Sequence, residues 1–266
     1  MDDAAAPTAA GMYDYYLGGT AHTAVDRAAA EQVAQLLPEV GDAAWANRGF
    51  LQRAVKRLAG ELGVRQFVDI GSGLPTQRNT HDVVAEAGTG GRVVYVDRDP
   101  VAVARGKELL TGTDGVTVIQ ADLREPEVIW DHPETQRLID RSQPVAVLMV
   151  AVLHFIPDAD DPWGIVRRYV DLIPSGSFLA ISHGTGDYAS ERNREAILKV
   201  YASTPTPPTD RSKSEVERFF DGLELLPPYP GAAPGVTFGG LWGADNPDDA
   251  DSDGSRLFYA GVGRKP

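Results

Sequence analysis

Three aspartates stand at or just past the ends of apolar runs: Asp69 in Gln66-Phe-Val-Asp-Ile70, Asp97 after Val93-Val-Tyr-Val96, and Asp122 after Val118-Ile-Gln-Ala121. The first is followed by Gly71-Ser72-Gly73. A strand that ends in a Gly-x-Gly turn lets the backbone come close to a ligand and offers it N–H groups. Carboxylates at neighbouring strand ends accept hydrogen bonds from hydroxyls and amino groups and attract cations. The chemistry this suggests is recognition of a nucleoside. Two histidines hold comparable positions. His154 follows 148–153 and His183 follows 180–182. An imidazole at such a place can take a proton from an oxygen or nitrogen nucleophile near neutral pH, or simply bond to backbone. Tyr13, Tyr15 and Tyr16 form a lid or substrate wall, or else pack an N-terminal arm; aromatic faces attract cations. Asn47 and Arg48 lie on a helical stretch whose spacing turns Asn47 inward.

The elements that would position these residues follow from periodicity. Strand-like runs fall at 66–70, 92–96, 116–120, 145–150, 177–182 and 257–262. Helical patterns lie between them, at about 76–87, 99–110, 126–140 and 161–173. This alternation predicts βαβ units and a parallel sheet buried on both faces. Two helices precede the first strand. One covers 24–37, with Val25, Ala29, Val33, Leu36 and Leu37 on its apolar face and Pro38 as its stop. The other covers 42–62, with Phe50, Leu51, Val55, Leu58 and Leu62 inward and Gly63 beyond its end. Later, 189–202 reads as a helix and 203–211 is too rich in Pro to be regular. Ser212 and Glu215 predict a capping box opening a helix to Asp221. A short strand at 223–226 and the last strand at 257–262 have no helix between them, which predicts an antiparallel hairpin at a sheet edge. Residues 227–256 read as a long loop, with an acidic run at 245–253 that fails the EF-hand pattern. The division expected is 1–63 as an arm and helices capping the site, and 64–266 as the nucleoside-binding domain.

At 266 residues the chain can bury a full core. The absence of cysteine excludes disulfides and thiolate catalysis and argues against a zinc site; no metal is expected. No apolar run approaches the ~18–20 residues that span a bilayer. The start lacks the basic region and apolar core of a signal peptide, so a cytoplasmic protein is expected. A net charge of −13 repels phosphate backbones and disfavours nucleic-acid partners, although acidic composition also serves plain solubility.

Two cofactor classes compete for the turn. A nicotinamide dinucleotide favours Gly-x-Gly-x-x-Gly, whose third glycine permits close helix–strand packing. Here that position is Thr76, preceded by Pro75. Asp69 beside the turn would also repel a pyrophosphate. S-adenosylmethionine instead carries an ammonium and a sulfonium, which an acid suits. Asp97 can accept ribose hydroxyls in either class. Asp122 can accept from an adenine amino group. Three acids at successive strand ends fit a cationic adenosyl ligand better than a dinucleotide.

Asp69-Ile-Gly-Ser-Gly73, Val96-Asp-Arg-Asp-Pro100 and Gln120-Ala-Asp-Leu123 resemble the class I S-adenosylmethionine-dependent methyltransferases. With Met12-Tyr-Asp-Tyr-Tyr-Leu-Gly-Gly19, Ala46-Asn-Arg-Gly-Phe-Leu51 and Val152-Leu-His-Phe-Ile-Pro-Asp158, the chain is similar over about 11–262 to a family of bacterial methyltransferases first described as a domain of unknown function. The resemblance implies an α/β, Rossmann-like fold with a seven-stranded, mostly parallel sheet, an antiparallel last strand and helices on both faces. It implies S-adenosylmethionine as cofactor, S-adenosylhomocysteine as product, and cofactor contacts from Asp69, Gly71, Ser72, Gly73, Asp97, Arg98, Asp122, Leu123 and Ala151. It implies no acceptor. The expected function is methyl transfer to an unidentified small molecule. The alternatives are an NAD(P)-dependent oxidoreductase and a non-catalytic adenosyl-binding module. After the fourth strand stands Ala151-Val-Leu-His154 rather than the Asp/Asn-Pro-Pro-Tyr/Phe of amino-group methylation, which tilts away from nucleobase N-methylation.

Overall fold

The computed structural model describes residues 6–74, 78–88, 90–188 and 207–266. Among the described residues, eight strands form one sheet: β1 (Gln66–Ile70), β2 (Arg92–Asp97), β3 (Val116–Gln120), β4 (Ala146–Val150), β5 (Phe178–Gly184), β6 (Glu224–Leu225), β7 (Thr237–Phe238) and β8 (Phe258–Arg264). Their order is β3-β2-β1-β4-β5-β8-β6, with β7 also pairing β8. The first five are mutually parallel; β8 runs antiparallel to β5, β6 and β7. The expected edge pairing of 223–226 with the last strand is present, as Glu224↔Arg264 and Leu225↔Gly263. The expected seven strands become eight because β7 interrupts the loop read over 227–256. Two residues paired to β8 are too few to leave a period in the sequence.

The helices are α1 (Ala9–Tyr16), α2 (Ala24–Leu36), α3 (Val40–Lys56), α4 (Thr80–Glu86), α5 (Pro100–Leu109), α6 (Pro126–Asp131), α7 (Pro133–Leu138) and α8 (Pro162–Leu172), with short helical turns elsewhere. Their boundaries follow local chemistry. Thr23 with Asp26, Asn79 with Asp82, and Ser212 with Glu215 form capping boxes. Pro133 splits the single helix expected over 126–140, because proline excludes the α conformation from His132 before it. α3 runs into a wide π turn at Arg57–Glu61 and ends at Leu62, with Gly63 at φ +70°. α1 was not legible as a helix; Thr8 caps it by accepting from the Gly11 N–H. The helix expected at 189–202 lies outside the described residues, as do 203–206 of the irregular segment expected over 203–211; its described part, 207–211, is neither helix nor strand.

The core has two main parts, one on each face of the sheet. One joins Val68, Ile70, Val94, Val147 and Met149 to Trp130 and Tyr169. The other joins Phe67, Val93, Ala146 and Leu148 to Phe50, Leu51, Val55 and Leu58 of α3. A satellite cluster of Met12, Ala29, Ala30 and Val33 holds α1 to α2. On α2 the expected stripe is shifted. Val25 and Leu36 are exposed, while Asp26 is buried and accepts from both Thr8 and Thr23, tying the starts of α1 and α2 together. Leu62 of α3 is likewise exposed. No helix among the described residues is long and apolar enough to cross a membrane.

Candidate functional site

β1 and β4 are neighbours, but the chain proceeds from β1 toward β2 and β3 on one side and from β4 toward β5 on the other. Their carboxyl ends therefore diverge and leave a crevice, where open α/β sheets bind ligands. A cavity of about 550 Å³ occupies it. Asp69 with 71–74 at the end of β1, 95–100 at β2, 121–123 after β3, and 150–152 with 154–156 at the end of β4 form one wall. α1 and α3 form the other, through Tyr13, Tyr16, Val40, Ala44, Asn47, Arg48 and Leu51.

The turn after β1 is locked onto β2. Ile70 pairs with Val96, so the turn begins beside Asp97. Gly71 N and Ser72 N both donate to Val96 O, at 2.8 and 3.1 Å. Gly73 N donates to Asp97 Oδ2 at 2.7 Å. The N–H groups expected to face a ligand are thus spent within the protein. Gly71 has φ +69°, and a Cβ there would stand 2.3 Å from Val152 Cγ2. Both the backbone conformation and the approach of the β4 loop exclude a side chain. Thr76, on which the dinucleotide argument partly rested, lies outside the described residues.

The three acids all line the cavity but differ in environment. Asp69 is buried and accepts from Thr80 Oγ1 at 2.7 Å. Burial pushes its carboxyl up to about 6, against the opposing influence of Thr80 and Arg48. Asp97 is partly exposed and accepts from Gly73 N and Asp99 N. Burial raises its pKa too. Asp122 is gripped by Arg124, whose Nε and Nη2 reach its two oxygens at 3.0 and 2.6 Å. That guanidinium holds the Asp122 carboxyl below its ordinary range. Gly71, Ser72, Gly73, Arg98, Leu123 and Ala151 also line the cavity.

On the helical wall a hydrogen-bonded chain crosses four elements. Tyr13 OH donates to Ala44 O at 3.2 Å and accepts from Asn47 Nδ2 at 2.8 Å. Asn47 Oδ1 accepts from Ser182 Oγ on β5. Ser182 Oγ in turn accepts from Ala151 N at 2.9 Å. Ala151 has φ +54°, a left-handed conformation that costs a non-glycine residue about 1–2 kcal/mol. The Ser182 bonds hold it there, where the chain turns from β4 into the cavity wall. Asn47 is fully buried.

The two histidines separate. His154 lines the cavity, and its Nδ1 accepts from Gly184 N at 3.3 Å. The proton of the neutral ring is then on Nε2. Burial, with His183 and Arg211 nearby, holds its pKa well below 6.5. His183 is fully buried and lies off the cavity. Its Nδ1 donates to Gly184 O at 2.6 Å and its Nε2 accepts from Arg211 Nη1 at 2.9 Å. Burial beside that cation drops its pKa to about 3. With both nitrogens used, His183 is not placed to act as a base on a ligand. Tyr13 and Tyr16 line the cavity; Tyr15 does not, and its hydroxyl reaches Glu31 instead. Trp163 and Phe238 lie off the cavity, stacked on Phe219 and Tyr259, and Trp242, also off it, meets Phe50 edge to face.

A family model described as S-adenosyl methyltransferase matches residues 2–266. The chain belongs to this family. Two solved structures are similar along nearly their whole length. A DUF574 family protein from Streptomyces avermitilis MA-4680 is 36% identical, with a TM-score of 0.90 and coverage of 98% of each chain. A "putative methyltransferase" from Thermobifida fusca YX is 37% identical, with a TM-score of 0.88, covering 99% of this chain and 96% of that one. The N-methyltransferase NodS from Bradyrhizobium japonicum WM9, solved with S-adenosyl-L-homocysteine, is 10% identical with a TM-score of 0.51, covering 81% of this chain and 85% of that one. That likeness is one of fold. No curated protein matches the chain.

Several residues at this family member's cavity were not singled out from the sequence. Thr80 and Tyr95 surround Asp69, and Phe155 and Phe258 stand around His154. Thr80 carried a readable signal, being the first residue of the helix that follows the glycine turn. Ser182 carried none, because its partnership with Ala151 depends on β4 and β5 pairing as Val150↔Ser182.

Proposed function

We propose that the chain transfers a methyl group from S-adenosylmethionine to a small-molecule acceptor held in the cavity between the sheet edge and α1–α3. One observation carries the choice of ligand: the glycine turn donates its N–H groups to Val96 and Asp97, while the acids Asp69 and Asp97 remain at the cavity wall. A pyrophosphate needs those N–H groups and is repelled by those acids. A ligand bearing an ammonium and a sulfonium needs neither donor and gains from both acids. When bound, the cofactor supplies an electrophilic methyl group on sulfur.

The residues present fit it. In this reading Asp69 takes the ammonium, Asp97 the ribose hydroxyls and Asp122 an exocyclic amine, with Ala121 and Leu123 as apolar walls; all five line the cavity. Displacement at the methyl carbon requires chiefly that donor and acceptor be aligned and water excluded. The helices before residue 64 act as the cover that does this. A cavity of about 550 Å³ suits a cofactor with a modest acceptor rather than a polymer. His154, with its proton on Nε2, orients the acceptor by donating a hydrogen bond rather than by removing a proton. Isothermal calorimetry with S-adenosylhomocysteine and with NAD tests the reading. Binding of the first and not the second is expected; NAD binding without S-adenosylhomocysteine binding would overturn it.

A further inference from the structure

Arg211 is only 1% exposed and lies off the cavity. Its guanidinium is fully engaged. Nη1 donates to Leu153 O at 3.0 Å and to His183 Nε2 at 2.9 Å. Nη2 donates to Ile156 O at 2.6 Å, and Nη2 and Nε reach Asp158 Oδ1 at 2.7 and 3.2 Å. The rings of Trp163 and Phe219 are centred 5.2 and 5.8 Å from its carbon. Two residues earlier, Thr209 N donates to His154 O at 2.6 Å. Residues 209–211 therefore hold the loop after β4 at 153, 154, 156 and 158, around the histidine that meets the cavity.

A neutral amide could hold two carbonyls with a far smaller desolvation cost than a guanidinium. What the permanent cation adds is its charge beside two imidazoles. It donates to His183 Nε2, so the His183 proton must sit on Nδ1, which donates to Gly184 O at 2.6 Å. Gly184 is thereby fixed at the end of β5, and its own N–H meets His154 Nδ1 at 3.3 Å. The two histidine rings stand edge to face, 5.5 Å apart. The other rings beside His154 are those of Phe155 and Phe258, which carry no charge. His183 and Arg211 are the groups whose charge acts on His154, and both oppose its protonation. Asp158, a carboxylate on the guanidinium, has an exposed side chain and screens that charge weakly.

We propose that Arg211 is a positioning residue for His154: through the loop carbonyls, and through His183 and Gly184, it fixes the ring and leaves its proton on Nε2, as a donor toward the methyl acceptor. This deepens the reading of His154 given above and rests on it. A nitrogen that already carries hydrogen cannot take a proton from the acceptor. The acceptor atom it orients must present a lone pair, which admits an oxygen or a neutral nitrogen and refuses an ammonium.

Two-bond 1H–15N spectra of the full chain read which imidazole nitrogen is protonated, and the His154 signals are identified by their loss in His154→Gln. At neutral pH the wild type should show the His154 proton on Nε2 alone. Arg211→Gln removes both charge and fork. It should mix the two tautomers and raise the proton affinity of His154 about tenfold or more. Arg211→Lys keeps the charge without the fork, so it should mix the tautomers with a much smaller change in proton affinity. His183→Phe leaves Arg211 on its loop carbonyls and should also mix the tautomers; it serves as the deciding variant should Arg211→Gln not fold. A cooperative thermal melt certifies the fold of each. An undisturbed Nε2 proton and unchanged proton affinity in every folded variant would show that Arg211 only braces the loop, and would overturn the proposal. So would a wild type with the His154 proton on Nδ1, or with a charged ring at neutral pH. A wild type that fails to bind S-adenosylhomocysteine overturns the methyl-transfer reading instead, while the imidazole signals still decide what Arg211 does to His154.

Discussion

The two walls of the cavity are built on different principles. The sheet-edge wall is made by backbone: register sets Gly71 beside Asp97, and main-chain N–H groups lock the turn to β2. The helical wall is made by side chains: Tyr13, Asn47 and Ser182 pass hydrogen bonds from α1 through α3 to β5. The first needs glycine and acids at fixed distances from strand ends. The second needs residues far apart in sequence to meet. A backbone-built wall is rigid and tolerates little change. A side-chain wall can be altered one bond at a time.

Gly71→Ala attacks the rigid wall most severely. The new Cβ meets Val152 at 2.3 Å with φ at +69°. Left-handed strain and overpacking together should cost about 3 kcal/mol, read as a fall in the urea midpoint, with loss of S-adenosylhomocysteine binding. Next comes Asp97→Asn. The amide can still accept from Gly73, so the fold should stand, while affinity for S-adenosylhomocysteine drops about 10- to 100-fold in calorimetry. Retention of wild-type affinity would show that Asp97 serves only the turn.

Acid separates the walls in another way. Burial raises Asp69 to about 6, so its carboxylate is ionised above that pH and neutral below it. Affinity for S-adenosylhomocysteine should be flat above pH 7 and then fall, approaching tenfold per pH unit below 6, as the charge facing the ammonium is lost. The unliganded fold responds with the opposite sign at this group. Between 6 and the ordinary carboxylate value near 3.9 the folded state holds a proton that the unfolded chain releases, so the contribution of Asp69 to stability rises as pH falls. His183, lowered to about 3, works against it: stability is lost as pH falls below about 6.5, because the unfolded histidine takes up a proton that the buried one refuses. Binding titrations and thermal melts across pH 5–8 tell the two apart.

Ser182→Ala tests the side-chain wall. It leaves Asn47 Oδ1 buried without its donor and removes one support of the strained Ala151, at a cost of about 1–3 kcal/mol in chemical denaturation. Cofactor affinity should change less than with Asp97→Asn. Asp122→Asn is expected to do least. The Asp122 carboxylate is held by Arg124, which is itself 43% exposed and also reaches Asp160. Affinity should move by less than threefold, and a larger loss would place Asp122 alongside Asp97.

The sheet, its strand ends and its acids were legible because their signals are local. Runs of Val and Ile stop at Asp69, Asp97 and Asp122, and parallel pairing brings such stops to one edge. The antiparallel β8 was legible because no long helical period separates it from β6 in the sequence; the turns there, Pro247–Ala250 and Ser255–Leu257, are too short to leave one. The first helix α1 was not, since its tyrosines and small residues lack a long apolar period, and it is held by a cap and by Asp26 from another helix. The sequence alone thus determined the fold, the cofactor class and which strand ends carry charge, because each depends on residues within a few positions of one another. Tertiary structure alone decided that the glycine turn keeps its N–H groups for itself and that His183 is sealed by Arg211 while His154 meets the cavity. It alone decided that Arg48 of α3 lines the same cavity as Asp69 of β1. Those outcomes depend on register, burial and long-range packing, and none of these leaves a period in the chain.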